Sequence, residues 1–139
     1  MKHLLQHSLR ELAPTGPPLT ALTTALVARC EALRDKPLQD FTIEDLRLLV
    51  GQQIGLRWVV PLALTHLTEN LFSEGDYYAG DLLTSVLRVE NDYWQTYPAE
   101  CNRFRAALRV QLPLASSYTL PRATFRAASH WLADFNEVW

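Results

Sequence analysis

Phe41-Thr42-Ile43-Glu44-Asp45-Leu46-Arg47-Leu48-Leu49-Val50-Gly51-Gln52-Gln53-Ile54-Gly55-Leu56-Arg57-Trp58-Val59-Val60-Pro61-Leu62-Ala63-Leu64, running on to Leu71, decides how the rest of the chain must be arranged. Thr42 is a good N-cap, and Asp45 at the third helical position gives a weak form of the capping box. At about 100° per residue, Ile43, Leu46, Leu49, Val50 and Ile54 share one stripe. Leu48 falls opposite them, so this helix is expected to be covered on two faces. Gly51 and Gly55 punctuate its end, and a second helix begins near Arg57, with Pro61 expected in the first turn. From Trp58 to Leu71 apolar residues occur all the way round, with His66 and Glu69 read as the only strongly polar ones. A helix of that kind is central and wrapped by others, with Trp58 expected at the hub.

Working outward, residues 2–12 carry Leu4, Leu5, Leu9 and Leu12 at a spacing that predicts one short helix, ended by Pro14-Thr15-Gly16-Pro17-Pro18. Leu19, Leu22, Leu26, Cys30 and Leu33 make a narrow apolar face on a helix from about Leu19 to Arg34, which puts Cys30 inside. After Leu71 the run Ser73-Glu74-Gly75-Asp76-Tyr77-Tyr78-Ala79-Gly80-Asp81 reads as a loop. A helix follows from Asp81 to Arg88, its start capped by Asp81 or stabilised by that carboxylate near the helix dipole. Glu90-Asn91-Asp92 reads as a cap before Tyr93-Trp94. Pro98 suits the first turn of a helix to about Gln111, with Phe104, Ala107, Leu108 and Val110 inward. Pro113 stops it, and Leu114 to Leu120 reads as a loop or irregular strand. The last helix starts at Pro121 with Phe125, Ala128, Leu132, Phe135 and Trp139 on one stripe. The architecture that follows is all-α: a single-domain orthogonal bundle of about six or seven helices spanning residues 1–139, with 1–18 a loosely docked N-terminal segment.

The length of 139 residues is enough for one self-sufficient core. No apolar run approaches the roughly 20 residues needed to cross a bilayer, and Met1-Lys2-His3-Leu4-Leu5 lacks the pattern of an export signal. Two cysteines, Cys30 and Cys101, do not make a disulfide framework, so reduced thiols in a cytoplasm are expected. The net charge of -2 hides an asymmetry. Between Glu69 and Glu100 seven acids stand against one base, Arg88, whereas from Cys101 onward five arginines stand against two acids.

Residues that could carry chemistry are sparse. His3, His7, His66 and His130 share no ligand spacing with each other or with the cysteines, so no metal is expected. There is no Gly-x-Ser-x-Gly elbow, and the Gly75–Gly80 loop matches neither a P-loop nor a dinucleotide fingerprint; no cofactor is expected. Asp76 and Asp81 form a conceivable acid/base pair, but acids in a loop before a helix are more often caps and solvated charges. Arg103, Arg105 and Arg109 cluster on one helix, where a solvated face outweighs nucleic-acid binding. Arg47 lies beside the apolar stripe rather than opposite it. It is expected partly buried and paired with a carboxylate, with Arg57 a second base in the same duty.

Taken as an ordered series, Lys36-Pro37-Leu38, Phe41-Thr42-x-Glu44-Asp45-Leu46-Arg47, Gly51-Gln52-x-Ile54-Gly55-Leu56, Pro61-Leu62-Ala63-Leu64 and Glu74-Gly75-Asp76-Tyr77-Tyr78-x-Gly80-Asp81-Leu82-Leu83, with Trp94 downstream, resemble an all-helical family of immunity proteins from bacterial contact-dependent growth inhibition (CDI) systems. The likeness covers Leu22 to Trp94 and leaves out the first 20 residues and everything after Pro98. It implies a cytoplasmic inhibitor, not an enzyme, that binds the cognate toxin domain of a large exported protein, often a nuclease, in a one-to-one complex. Nuclease sites are basic, so an acidic surface suits them. On that reasoning the expected toxin-binding residues are Glu69, Glu74, Asp76, Tyr77, Tyr78, Asp81, Glu90 and Asp92. The loop from Gly75 to Asp81 is as readily a scaffold that turns and caps. A helical interaction module unrelated to toxins is the alternative.

Overall fold

The computed structural model describes residues 4–13, 24–116 and 118–135. Eight α-helices occur among them: α1 Leu9–Leu12, α2 Ala25–Leu33, α3 Ile43–Gly51, α4 Leu56–Glu69, α5 Asp81–Leu87, α6 Asn91–Thr96, α7 Pro98–Gln111 and α8 Arg122–Phe135. Short 3-10 turns add Leu4–Gln6, Leu38–Asp40 and Leu112–Leu114. Among the described residues pairing of extended chain is limited to two isolated bridges, Ser8 with Pro37 and Glu74 with Ala79. The all-α bundle expected from the periodicity is what forms, with short helices bringing the number above six or seven.

The hub is the α3–α4 hairpin, and α5 packs against it. Thr42 caps α3 as expected: its side chain accepts from the Asp45 amide at 3.1 Å and the Asp45 carboxylate accepts from the Thr42 amide at 3.0 Å. Leu46, Leu49 and Val50 are buried on one side of α3 and Leu48 on the other, so both faces are covered. The helix ends at Gly51, but the left-handed position beyond it is not a glycine. Gln53 takes the left-handed conformation at φ 56°, with the Gln53 amide bonded to the Val50 carbonyl and the Ile54 amide to the Leu49 carbonyl. That is a Schellman ending, in which the αL position satisfies two carbonyls the helix leaves over.

In α4, Val59, Val60, Ala63, Leu64 and Leu67 are fully enclosed. Two expectations fail here. Pro61 stands at the sixth position of α4, past the first turn, so the helix lacks one interior N–H bond. Trp58 is only half-buried, with Arg57 stacked over its ring at 4.7 Å. The enclosed tryptophan is Trp94 on α6. It stacks on Phe104 of α7 at 5.4 Å between ring centres and meets Trp131 of α8 edge-on at 5.7 Å. Trp131 in turn packs on Phe104 and Phe135. This aromatic cluster rotates α8 relative to the predicted stripe: Thr124, Ala128, Trp131 and Phe135 face inward while Phe125 is exposed. Val110 of α7 likewise faces solvent, not the core. Trp139, Leu19 and Leu22 lie outside the described residues.

Near the N-terminus a single helix does not form. Ser8 interrupts it, because its side chain accepts from the Glu11 amide and Glu11 bonds back to the Ser8 amide, a full capping box that starts α1 anew. Leu9 is buried, and main-chain bonds tie this segment to the α2–α3 connection, from the Leu38 amide to the His7 carbonyl and from the Arg10 amide to the Arg34 carbonyl. Arg10 also reaches Glu31 and Asp35, the latter at 2.6 Å. Cys30 and Cys101 are both buried free thiols, and burial pushes the Cys30 thiol above its ordinary value.

Candidate functional site

Two buried carboxylates organise the loop between α4 and α5. Glu44, in the first turn of α3, has an 8% exposed side chain. Arg47, one turn on, grips it with both arms of its guanidinium, Nε to Oε1 and Nη2 to Oε2, each at 2.6 Å. The same Oε1 accepts the backbone amide of Asp76 at 2.9 Å, and the Arg29 guanidinium of α2 lies 3.6 Å from Oε2. Arg47 holds the Glu44 carboxyl below its usual range against the opposing effect of burial, and the Asp76 amide helps. The pairing expected of Arg47 is therefore present. Arg57, by contrast, is exposed and lies over Trp58 instead of pairing in the core.

Asp81 is the second carboxylate. It opens α5 but is only 3% exposed and does not cap that helix. Its oxygens reach back, accepting the amides of Gly75 at 2.7 Å and Tyr77 at 3.1 Å, with Tyr78 more weakly at 3.4 Å. Gly75 sits between the two acids: a Cβ there would stand 2.6 Å from Glu44 Oε1 and 3.1 Å from Asp81 Oδ2. Only glycine lets the chain pass so close to both. At the loop's end Gly80 has φ 88° and packs against Leu120, which is why α5 can begin there.

What the loop displays follows from this clasp. Tyr77 is 68% exposed, with its ring lying 4.5 Å beneath the Arg47 guanidinium, a cation–π contact that fixes its direction. Asp76 points outward, 3.8 Å from Arg29. Tyr78 is partly exposed and its hydroxyl donates to Thr84 at 3.1 Å, and Thr84 meets Thr124 of α8 at 3.0 Å. Glu74 is exposed beside them. Asp76 and Asp81 thus differ in duty: one is presented to solvent, while the other is taken up by backbone amides.

Of the eight expected surface residues, Glu74, Asp76, Tyr77 and Tyr78 come together on this loop. Glu69 is exposed at the last position of α4, just before it. Glu90 and Asp92 are exposed beyond the far end of α5, a helix about 10 Å long at seven residues. Asp81 alone lies inside. Two of the three arginines on α7 are engaged within the fold. Arg105 is buried and its Nε donates to the Phe135 carbonyl at 2.8 Å, closing the end of α8, while Arg103 pairs with Glu100 at 3.0 Å. A solvated face was the expectation for all three arginines, and Arg105 departs from it because a helix C-terminus takes a cation well.

Sequence reasoning missed Glu44 and Arg29 as organisers of the loop. The i, i+3 spacing of Glu44 and Arg47 beside an apolar stripe was the signal for the first; nothing local marks the second. No helix among the described residues is long and apolar enough to cross a membrane, and no group of three or more His, Cys, Asp or Glu there is placed to hold a metal.

Compared with known families, the chain matches the model for CDI immunity proteins over residues 14–104, a span that takes in the hub, the carboxylate clasp and Trp94. Neither curated proteins nor solved structures give a match. With most of its length inside that family's pattern, and with the loop and its clasp among the matched residues, the chain belongs to the CDI immunity proteins, whose role is to neutralise a CDI toxin.

Proposed function

We propose that the chain binds the cognate toxin domain, a nuclease carried at the C-terminus of a large exported protein, in a one-to-one cytoplasmic complex that covers the toxin's active site. The observation that carries this reading is an exposed Asp76-Tyr77-Tyr78 display held from beneath by Glu44, Arg47 and Asp81. A loop already fixed in the unbound state loses little conformational freedom on docking, which favours affinity. Tyrosines held in place, Tyr77 by Arg47 and Tyr78 by Thr84, yet open to solvent are apt contact residues, since they bring apolar area and a hydroxyl together.

The charge fits the same reading. Glu69, Glu74, Glu90 and Asp92 are exposed without an ion pair among the described residues. Carboxylates of this kind stand in for phosphate in a basic cleft and steer the encounter. A standard interface takes about 800 Å² from each partner, a footprint roughly 30 Å across, which accommodates both the loop and the acids beyond α5. That is about a tenth of the chain's 8086 Å² surface. Sub-nanomolar binding, about -12 kcal/mol or stronger, is the affinity such an inhibitor needs.

The test is a titration of the purified toxin domain of the same CDI locus with this chain, followed by nuclease activity. Loss of activity at one equivalent, relieved by excess nucleic acid competing for the toxin, is expected. A stable ternary complex of toxin, chain and nucleic acid would refute occlusion of the active site.

A further inference from the structure

Seven large apolar side chains are exposed among the described residues, and four of them, Val110, Leu114, Tyr118 and Phe125, fall in one short stretch. All four lie beyond the family-matched span. Tyr118 is 95% exposed, on the turn that leads into α8. Next to it Ala115, Ser116, Leu120, Arg122 and Phe125 line a shallow, mainly apolar groove. Scattered exposed apolar residues are ordinary, but Phe125 and its apolar neighbours in the groove, with Arg122 at the edge, have the make-up of a docking surface.

The segment that carries this groove packs directly against the loop already described. Leu120, which lines the groove, packs on Gly80. Thr124, one residue from Phe125, is joined through Thr84 to the Tyr78 hydroxyl. The charge at its edge is opposite to that of the loop. Arg122 lines the groove and Arg126 stands one turn on along the same exposed face of α8, neither with an ion pair among the described residues.

We infer that residues 112–116 and 118–126 form a second, specificity-determining part of the toxin-binding surface, receiving an apolar projection of the toxin flanked by a carboxylate that faces Arg122. The inference rests on the proposed toxin-binding role. Its logic is a division of labour. The acidic loop addresses a feature every toxin of this activity shares, a basic cleft, whereas the arginine-rimmed apolar groove addresses what differs between toxins. A toxin that lacks the carboxylate leaves Arg122 desolvated and unpaired, which rejects it.

The experiment measures dissociation of the full chain from the purified toxin domain of the same CDI locus, using Tyr118→Ala, Phe125→Ala, Arg122→Glu and the loop variant Tyr77→Ala. Unchanged melting of each free variant shows that the fold is kept. Tyr118→Ala or Phe125→Ala is expected to speed dissociation about 10-fold or more, as loss of an interface anchor does, and Arg122→Glu at least as much. If Tyr77→Ala weakens binding while the three groove variants behave like the parent, the groove inference is overturned and the loop reading stands. If the parent chain does not bind the toxin domain, the loop reading itself fails. If sedimentation shows that the groove instead pairs two copies of this chain, with Tyr118→Ala restoring the monomer, the inference is likewise overturned.

Discussion

Replacing Glu44 by Gln is the perturbation that separates a clasp from a decorative surface pair. Gln keeps the shape and one carbonyl oxygen, so the Asp76 amide retains an acceptor where it now has Glu44 Oε1 at 2.9 Å. It removes the charge and places an amide N–H opposite Arg47 Nη2, where a 2.6 Å bond now forms. One charge-assisted bond becomes a donor facing a donor, and the Nε bond weakens. Such bonds contribute about 1.5–3 kcal/mol each. Arg47 retains some exposure, 18% of its side chain, so water repairs part of the loss. A destabilisation of about 2–4 kcal/mol is expected, read as a lower urea midpoint with an unchanged slope. Arg47→Met should cost a similar amount, because it leaves the Glu44 carboxylate buried with less compensation. The double variant should cost less than the two singles together by about 1 kcal/mol or more. Amide exchange at Asp76 and Tyr77 should speed up in Glu44→Gln beyond what global stability explains. A Glu44→Gln protein within about 0.5 kcal/mol of the parent, with additive singles, would refute the clasp and classify the pair with ordinary surface ion pairs.

Trp94→Ala should lose about 3–5 kcal/mol by opening a cavity in the aromatic cluster, while Trp58→Ala, at a half-buried position, should lose clearly less; equal shifts in melting temperature would contradict the assignment of Trp94, not Trp58, as the enclosed tryptophan. Because Arg47 and the Asp76 amide hold the Glu44 carboxyl below its ordinary value, its contribution is complete above the ordinary carboxyl range of the unfolded chain. It is lost as the pH falls through the lower folded value, so the parent should lose more stability than Glu44→Gln in an acid titration followed by circular dichroism. Gly80→Ala puts a side chain at φ 88° with its Cβ 2.3 Å from Leu120, and a loss of about 2 kcal/mol or more is expected in urea unfolding.

The hub was legible in the sequence because local signals and burial agree there. Thr42 and Asp45 announce the start of α3, Leu46 through Val50 fix its covered faces, and the all-round apolarity of α4 places it centrally. Legibility fails where a distant partner decides. Pro61 is tolerated inside α4 because the surrounding helices enclose that helix, not because it opens a turn. Phe125 and Trp131 both suit an amphipathic α8, and the choice between them depends on Trp94 and Phe104, which no window around residue 130 contains. Ser8 was overlooked because the leucine spacing around it is helical, although the Ser8–Glu11 capping box was there to be read. At the candidate site the exposed loop was legible from its glycines and acids. The role of Asp81 was not, since an acid at a helix start reads as a cap, and only the fold shows its oxygens turned back toward Gly75 and Tyr77.

The central claim is that carboxylates and tyrosines on a pre-ordered loop recognise a basic toxin site. It is tested most directly by the rate at which this chain associates with the toxin domain of its own CDI locus, measured by stopped flow as ionic strength rises from low to well above physiological. The account predicts a rate that falls steeply with salt, and a shallower fall when Glu69, Glu74 and Asp76 are neutralised together. An association rate indifferent to salt, or one that the neutralised variant shares with the parent at every ionic strength, would contradict it.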